Sequence, residues 1–259
     1  NGNLILRIED TDQSRKVDGA IDNLIDSLNK CGIIFDKGPQ EYDRNDLFIQ
    51  SNRLHIYNDS VEYLLDNEYA YACLDDDFEK YKNQKISKQE LSKKQFHVRL
   101  KIPDDVLSFN DIIRGNINFD LSLIDDPVIF KTDGFPTYHL ANVVDDHDME
   151  ISHVIRGEEW LSSTPIHILL YKYFKWDLPN FVHLPLLLNP DKSKLSKRQG
   201  HVAVEDFLNE GYLSNALINF IALLGWNPKN NNEIFSIEEL ITQFNLHNVQ
   251  KSGAVFDIN

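Results

Sequence analysis

Leu4 to Ile8 is a short apolar run that stops at Glu9-Asp10-Thr11-Asp12, the profile of a strand that delivers acidic groups at its carboxyl end. Ala20, Ile21, Leu24, Ile25 and Leu28 then recur at helical spacing, and Gly32 ends that helix. The same periodicity predicts a second helix over about 47–65, with Leu54, Ile56, Tyr57, Val61 and Leu64 on its apolar face. A strand followed by amphipathic helices suits an α/β layer.

The texture changes between Tyr69 and Pro136. Asp75-Asp76-Asp77 and the lysine-rich stretch 80–94 are polar, and read as helical or loose. Short alternating runs follow at Phe96–Leu100, Ile117–Leu121 and Val128–Phe130, which predict a small strand-containing insertion. Asp133-Gly134 with Pro136 forms a turn that returns the chain to the main layer. Val154–Gly157 and Val182–Leu188 are the next strands. Between them lies a helix opened by Ser163 or Thr164 with Pro165 in its first turn. Beyond residue 200 the pattern is helical throughout: Leu213 to Leu224 is strongly apolar, and Ser236-x-x-Glu239 is a capping box ahead of Leu240 and Ile241. The expected architecture is an α/β core split by an insertion and followed by a helical piece.

Composition narrows the functional classes. With 42% hydrophobic residues, the 259-residue chain has material for a sizeable core, which excludes a disordered reading. No stretch approaches 18 consecutive apolar residues, so no membrane-spanning helix is expected. Two cysteines, Cys31 and Cys73, stand far apart in no metal-ligand spacing, which suits a reducing compartment. A net charge of −15 argues against non-specific nucleic-acid binding but leaves room for a local basic surface. Neither end carries a leader or a closing cap, and both read as cut from something longer.

Four segments carry candidate chemistry. Lys194-Leu195-Ser196-Lys197-Arg198-Gln199-Gly200 packs three cations and a serine behind a buried-looking strand, an arrangement suited to polyphosphate. It lacks the glycine pattern of a Walker loop, and taken alone it reads equally as a solvated basic turn. In Tyr138–Asp146, Tyr138 and Asn142 share one helical face and can orient a small polar ligand; a plain polar surface explains them as well. Val154-Ile155-Arg156-Gly157-Glu158-Glu159-Trp160 offers a guanidinium fork for a carboxylate, with Glu159 and Trp160 able to serve ribose hydroxyls and an adenine face. A local Arg156 salt bridge and a packed Trp160 remain open as the alternatives. In Arg7–Asp12 an acidic group at a strand end can receive an ammonium group, or Asp10 and Thr11 can simply cap a turn.

In this order, the four segments resemble the class I aminoacyl-tRNA synthetases, specifically the bacterial and organellar glutamyl type. Lys194–Arg198 is similar to that family's KMSKS-type loop, and Arg7–Asp12, Thr137–Asp146 and Val154–Trp160 match its glutamyl-specific blocks nearly letter for letter. The resemblance extends through His183-Leu184-Pro185-Leu186 and Ala216–Pro228. It implies a Rossmann-like catalytic core at 1–68 and 137–200, an acceptor-binding α+β insertion at 69–136, and an incomplete helical stem-contact domain at 201–259. By the same resemblance, Glu9 holds the α-amino group of glutamate, and Arg156 pairs with its side-chain carboxylate, assisted by Tyr138 and Asn142. Glu159, Trp160, Leu186 and Leu187 border ATP, while Lys194 and Lys197 stabilise the triphosphate. Magnesium accompanies the ATP, tRNA(Glu) is the acceptor, and the protein is expected to be a monomer in a mitochondrial matrix or a bacterial cytoplasm, with the lean to the mitochondrion.

Alternatives within this resemblance are a non-discriminating enzyme that also charges tRNA(Gln) and a non-catalytic tRNA-binding homologue. A glutaminyl enzyme is a weaker match, because its first block typically begins Arg-Phe-Asp-Asp, and a shorter relative that modifies a tRNA base lacks the helical tail. The HIGH-type segment and the anticodon-binding region lie outside these 259 residues, so the isolated chain is expected to be inactive. Some members hold zinc in the insertion through a Cys-x-Cys pair; here the position reads Cys73-Leu74-Asp75. Elemental analysis of the purified protein should therefore find no stoichiometric zinc, and one bound zinc per chain would refute that expectation.

Overall fold

The structure, a computed structural model, describes residues 2–15, 17–39, 46–74, 77–84, 86, 94–195 and 203–257. The Asp75-Asp76 pair, most of the lysine-rich stretch and Ser196 to Gly200, including Lys197, lie outside the described residues.

The apolar run at Leu4–Ile8 is extended but paired only by single parallel bridges, Ile5 with Lys37 and Ile8 with Ile49. Helix α1 (Ala20–Lys30) follows and ends before Gly32, which takes a positive φ of 70°. Helix α2 (Leu54–Asp66) starts later than its periodicity suggests. The Ile8 carbonyl accepts the Gln50 N–H, and the Asp10 carboxylate accepts both the backbone N–H and the hydroxyl of Ser51. These bonds take over groups that helix formation would need, and leave 46–52 as two short 3-10 turns.

Strands β1 (Ala70–Cys73), β2 (His97–Leu100) and β5 (Val128–Phe130) make an antiparallel three-stranded sheet in the order β1-β2-β5. Between β2 and β5 in sequence lies a hairpin, β3 (Val106–Asp111) and β4 (Gly115–Asp120). Its three-residue loop closes on Gly115 at a φ of 81°, a left-handed position that glycine fills without strain. The 69–136 segment thus contains β1 and β3, which the sequence pattern did not mark. Residues alternate along β3 so that Leu107, Phe109 and Asp111 face inward.

Helix α3 (Phe78–Tyr81) is a single turn after β1, and helix α4 (Tyr138–Asp148) follows β5. Strand β6 (His153–Gly157), helix α5 (Thr164–Phe174) and strand β7 (Asn180–Leu184) form a βαβ unit whose strands pair in parallel over five residues. The hairpin joins this unit: β3 lies parallel to β7 through Asp111 and Phe181, giving a four-stranded sheet in the order β4-β3-β7-β6. Part of the segment expected as an insertion therefore shares a sheet with the core. Leu140, Ile168 and Leu170 from the helices pack with Leu100, Ile129 and Phe181 from both sheets into one continuous core. Each such aliphatic side chain contributes roughly 2 kcal/mol by leaving water.

The strand expected over Val182–Leu188 divides at Pro185 into β7 and a short β8 (Leu187–Leu188). Helices α6 (Val204–Asn209), α7 (Ser214–Leu223) and α8 (Ile237–Gln243) follow, α8 with both bonds of the Ser236–Glu239 capping box. The expectation that everything beyond 200 is helical is corrected by β9 (Ala254–Val255), which pairs in parallel with β8. Two alternating residues carry too little pattern to register as a strand; the bonds from Ala254 and Phe256 to the carbonyls of Leu186 and Leu188 define it. No helix among the described residues is long and apolar enough to cross a membrane.

A buried clasp holds α4 in place. The Asp145 carboxylate accepts from Arg53 Nε at 2.9 Å, from Gln50 Nε2 at 2.8 Å and from the Tyr57 hydroxyl at 2.9 Å. Arg53 also donates to Asp148 at 2.6 Å. Removing a buried partner strands the remaining charge, at a cost of about 3–5 kcal/mol. Asp145→Ala should therefore lower the stability read from urea unfolding by about 3 kcal/mol, and a change below about 1 kcal/mol would contradict the clasp.

Candidate functional site

Helix α4 organises the site. Thr137, its N-cap in extended conformation, donates its hydroxyl proton back to the Val128 carbonyl, so the helix begins where β5 hands over. Tyr138 and Asn142 stand one turn apart, about 6 Å along the axis. Each anchors a different cluster.

The first cluster gathers on Arg7. Its guanidinium donates to Asn142 Oδ1 at 2.9 Å, to Asp146 Oδ1 at 2.7 Å and to Glu9 Oε1 at 3.0 Å. Burial opposes the Arg7 charge, but Asp146 and Glu9 outweigh it and hold the group more firmly protonated than usual. Burial also raises the Asp146 carboxyl, against the pull of Arg7. The Glu9 side chain remains 42% exposed, open to a cation arriving from solvent. Arg7 was quoted in its sequence block without a role; it is the residue that brings Glu9 and Asn142 together.

The second cluster surrounds Arg156 at the end of β6. Its Nε donates to His183 Nε2 at 3.1 Å, its Nη2 to the Thr164 hydroxyl at 2.8 Å, and its Nη1 to the Tyr138 hydroxyl at 3.3 Å and His167 Nδ1 at 3.2 Å. Every one of these partners is neutral, and no carboxylate of the described residues lies within ion-pair distance of Arg156. The salt bridge to Glu158 or Glu159 left open by the sequence is not formed: Glu158 pairs with Arg114 at 2.6 Å and Glu159 with Lys194 at 3.2 Å. Among the described residues, one of the five guanidinium hydrogens of Arg156, on Nη2, has no acceptor, and the Tyr138 hydroxyl proton is likewise unspent. These are two donors for an anion.

The imidazoles around Arg156 are tuned to accept. Since Arg156 donates to His167 Nδ1, the His167 proton sits on Nε2 and is given to His139 Nδ1 at 3.1 Å. Burial, reinforced by the Arg156 charge, holds His139 down to about 4 and His167 well below the usual range, so both rings stay neutral. His183 signals itself in the sequence as a lone polar residue within the apolar Phe181–Leu188 run, whereas Asp111 shows no such mark and Thr164 is marked only as a possible helix cap, a bond its side chain does not make.

The remaining candidates line up beside this cluster. The Trp160 ring lies 4.7 Å from that of Tyr138 and is 42% exposed rather than packed in the core. Lys194 reaches the adjacent Glu159, and its backbone bridges to Leu188 while the Leu195 N–H bonds the Leu187 carbonyl. Leu186 donates its N–H to Glu158 Oε1 at 3.3 Å. Leu186, Leu187, Glu159, Trp160 and Lys194 thus share one edge, joined to Arg156 through Tyr138. Lys197 is outside the described residues, and so adds nothing to this geometry. Among the described residues no group of three or more His, Cys, Asp or Glu side chains is placed to hold a metal ion.

The buried neutral histidines make stability depend on pH. His139 titrates near 6.5 when unfolded and near 4 when folded, so between those values the unfolded chain binds more protons. Stability attributable to this ring is full above pH 6.5 and falls as the pH drops toward 4, by at most about 3 kcal/mol. His139→Gln keeps an acceptor for His167 but does not titrate. Its unfolding midpoint should decline less between pH 6.5 and 4 than that of the unsubstituted protein, and parallel declines would count against the burial argument.

Comparison with known proteins shows the family. The model of the class I tRNA synthetases (E and Q), catalytic domain, matches residues 1–92 and 75–259. Proteins named glutamate–tRNA ligase from Chlorobaculum parvum and Chloroherpeton thalassium are 48% and 49% identical over 100% and 99% of the chain, which spans 58% and 57% of their length. A crystal structure of a glutamate tRNA ligase from Elizabethkingia meningosepticum in complex with its amino acid is 37% identical, with a TM-score of 0.88 over 99% of this chain and 61% of that one. A glutamate-tRNA synthetase structure from Elizabethkingia anophelis matches equally well, with a TM-score of 0.88. These relatives are bacterial, and the mitochondrial lean finds no support in them. The chain belongs to the catalytic-domain family of the class I tRNA synthetases for glutamate and glutamine.

Proposed function

We propose that this chain supplies the glutamate-binding and much of the ATP-binding surface of a glutamate–tRNA ligase. The observation that carries the reading is the Arg156 guanidinium, held by four neutral acceptors with its charge uncompensated among the described residues. A glutamate side-chain carboxylate supplies the missing charge, received by the free Nη2 hydrogen and the Tyr138 hydroxyl. A carboxamide supplies none, which favours glutamate over glutamine. One helical turn away, Glu9 takes the α-ammonium group, with Asn142 beside it. The reaction begins as the substrate α-carboxylate attacks the α-phosphorus of ATP, forming glutamyl-adenylate as pyrophosphate leaves. A terminal ribose hydroxyl of tRNA then attacks the acyl carbon, and AMP departs. Lys194, together with Lys197, draws charge from the triphosphate, while Glu159, Trp160, Leu186 and Leu187 border the nucleotide. Magnesium would accompany the ATP phosphates and would partly neutralise their charge. No covalent enzyme intermediate is required; catalysis comes from positioning and charge stabilisation.

The named relatives favour this reading over a non-catalytic homologue or an enzyme that also charges tRNA(Gln). The enzyme acts as a monomer in a bacterial cytoplasm. The test is steady-state kinetics of Arg156→Lys in the full-length protein, measured as glutamate-dependent ATP–pyrophosphate exchange with purified tRNA present. A lysine keeps the charge but loses the fork. The KM for glutamate should rise roughly a hundredfold, about 3 kcal/mol, with the KM for ATP little changed. An unaltered KM for glutamate sinks the reading.

A further inference from the structure

Asp111 belongs to the hairpin, away from the substrate clusters, yet it reaches Arg156 through a single ring. Its Oδ2 meets His183 Nδ1 at 2.7 Å, and both side chains are sealed from solvent. The opposite ring nitrogen, Nε2, faces Arg156 Nε at 3.1 Å. An arginine has only hydrogens to offer, so Nε2 must present its lone pair and the ring proton must reside on Nδ1. A carboxylate at Nδ1 enforces that tautomer.

We propose that Asp111 and His183 are positioning residues for the substrate's side-chain carboxylate: by locking the His183 ring as the Nδ1–H tautomer, Asp111 fixes the plane of the Arg156 guanidinium. The proposal rests on the reading of Arg156 as the carboxylate-binding group. The lever is itself immobilised. Asp111 Oδ1 accepts the backbone N–H groups of Ile113 at 2.9 Å and Arg114 at 2.8 Å, so the carboxylate cannot turn. Burial works against its charge, but His183 and these two N–H groups outweigh burial and hold it below the usual carboxylate range. Arg114, next in the turn, donates to the His183 carbonyl at 3.3 Å and thereby fixes the backbone that carries the ring.

This arrangement makes Asp111→Asn a sharp probe. The two backbone N–H groups demand an acceptor at Oδ1, so the amide oxygen stays there and the NH2 group takes the place of Oδ2. That NH2 donates to His183 Nδ1, drives the ring proton to Nε2, and sets a donor against the Arg156 Nε–H. The substitution is nearly isosteric but reverses the polarity of the relay, as the corresponding change does in a serine-protease triad.

The experiment combines kinetics with nitrogen NMR of histidine-labelled full-length protein. The unsubstituted protein should show His183 protonated on Nδ1, and Asp111→Asn should show it protonated on Nε2. In the exchange assay, Asp111→Asn should raise the KM for glutamate about tenfold, with kcat and the KM for ATP changed less than about twofold. An Nε2–H ring in the unsubstituted protein overturns the proposal, and that spectrum needs no variant to fold. Equal effects on the glutamate and ATP constants also overturn it, because they mark general structural damage. If Arg156→Lys raises the glutamate KM while Asp111→Asn leaves it unmoved, the positioning role fails and the function proposed for Arg156 stands. If neither moves it, the carboxylate-binding reading itself is at fault.

Discussion

The Asp145 carboxylate joins two stretches of chain distant in sequence: α4, and the 50–57 segment that runs from the second 3-10 turn into α2. Its partners are an arginine, an amide and a phenol, all buried, so each depends on the others to avoid an unsatisfied group in the core. The clasp fixes the position and rotation of α4, and with them the placement of Asn142 about one turn, and Tyr138 about two turns, toward its N-terminus. Asp146, next in sequence, holds Arg7 and thus the strand end that carries Glu9. The site is a consequence of where this helix is tied down.

The molecule treats its buried and half-buried arginines in two ways. Arg7 and Arg53 are met by carboxylates and serve the architecture. Arg156 is met by two imidazoles and two hydroxyls, and among the described residues no carboxylate pairs with it. The contrast sets two arginines compensated by carboxylates against one that, among the described residues, is not, and the binding role proposed for Arg156 starts from it. It also accounts for the histidines behind it: a neutral imidazole, like a hydroxyl, accepts from a guanidinium without cancelling its charge.

Much of the fold was legible because its elements obey simple periods. The helix at Ala20–Lys30 follows from spacing, the capping box at Ser236 from its cap residues, and the β6–α5–β7 unit from its strand and helix patterns, although neither Ser163 nor Thr164 caps α5 with its side chain. The late start of α2 was not legible, since Asp10 captures Ser51 from forty-one positions away and no local pattern announces it. Strand β9 is too short to show a period, and β3 was overlooked although its alternation is regular. For the candidate site, the residue types in the four segments were readable, as was the shared face of Tyr138 and Asn142. The layer behind them was not: Asp111, Thr164 and His167 gain meaning only once the sheet brings β3 beside β7 and sets α5 against β6.

Arg114 illustrates how tightly the hairpin is sewn into its surroundings. One guanidinium bonds the His183 carbonyl, the Lys251 carbonyl and the Glu158 carboxylate, so a single side chain staples together the central sheet, the C-terminal segment and the start of the 3-10 turn after β6. The hairpin is for this reason not an interchangeable cassette. A chimera that imports the 106–120 stretch from a relative has to bring an aspartate and an arginine at its tip, or the graft will sever three seams at once.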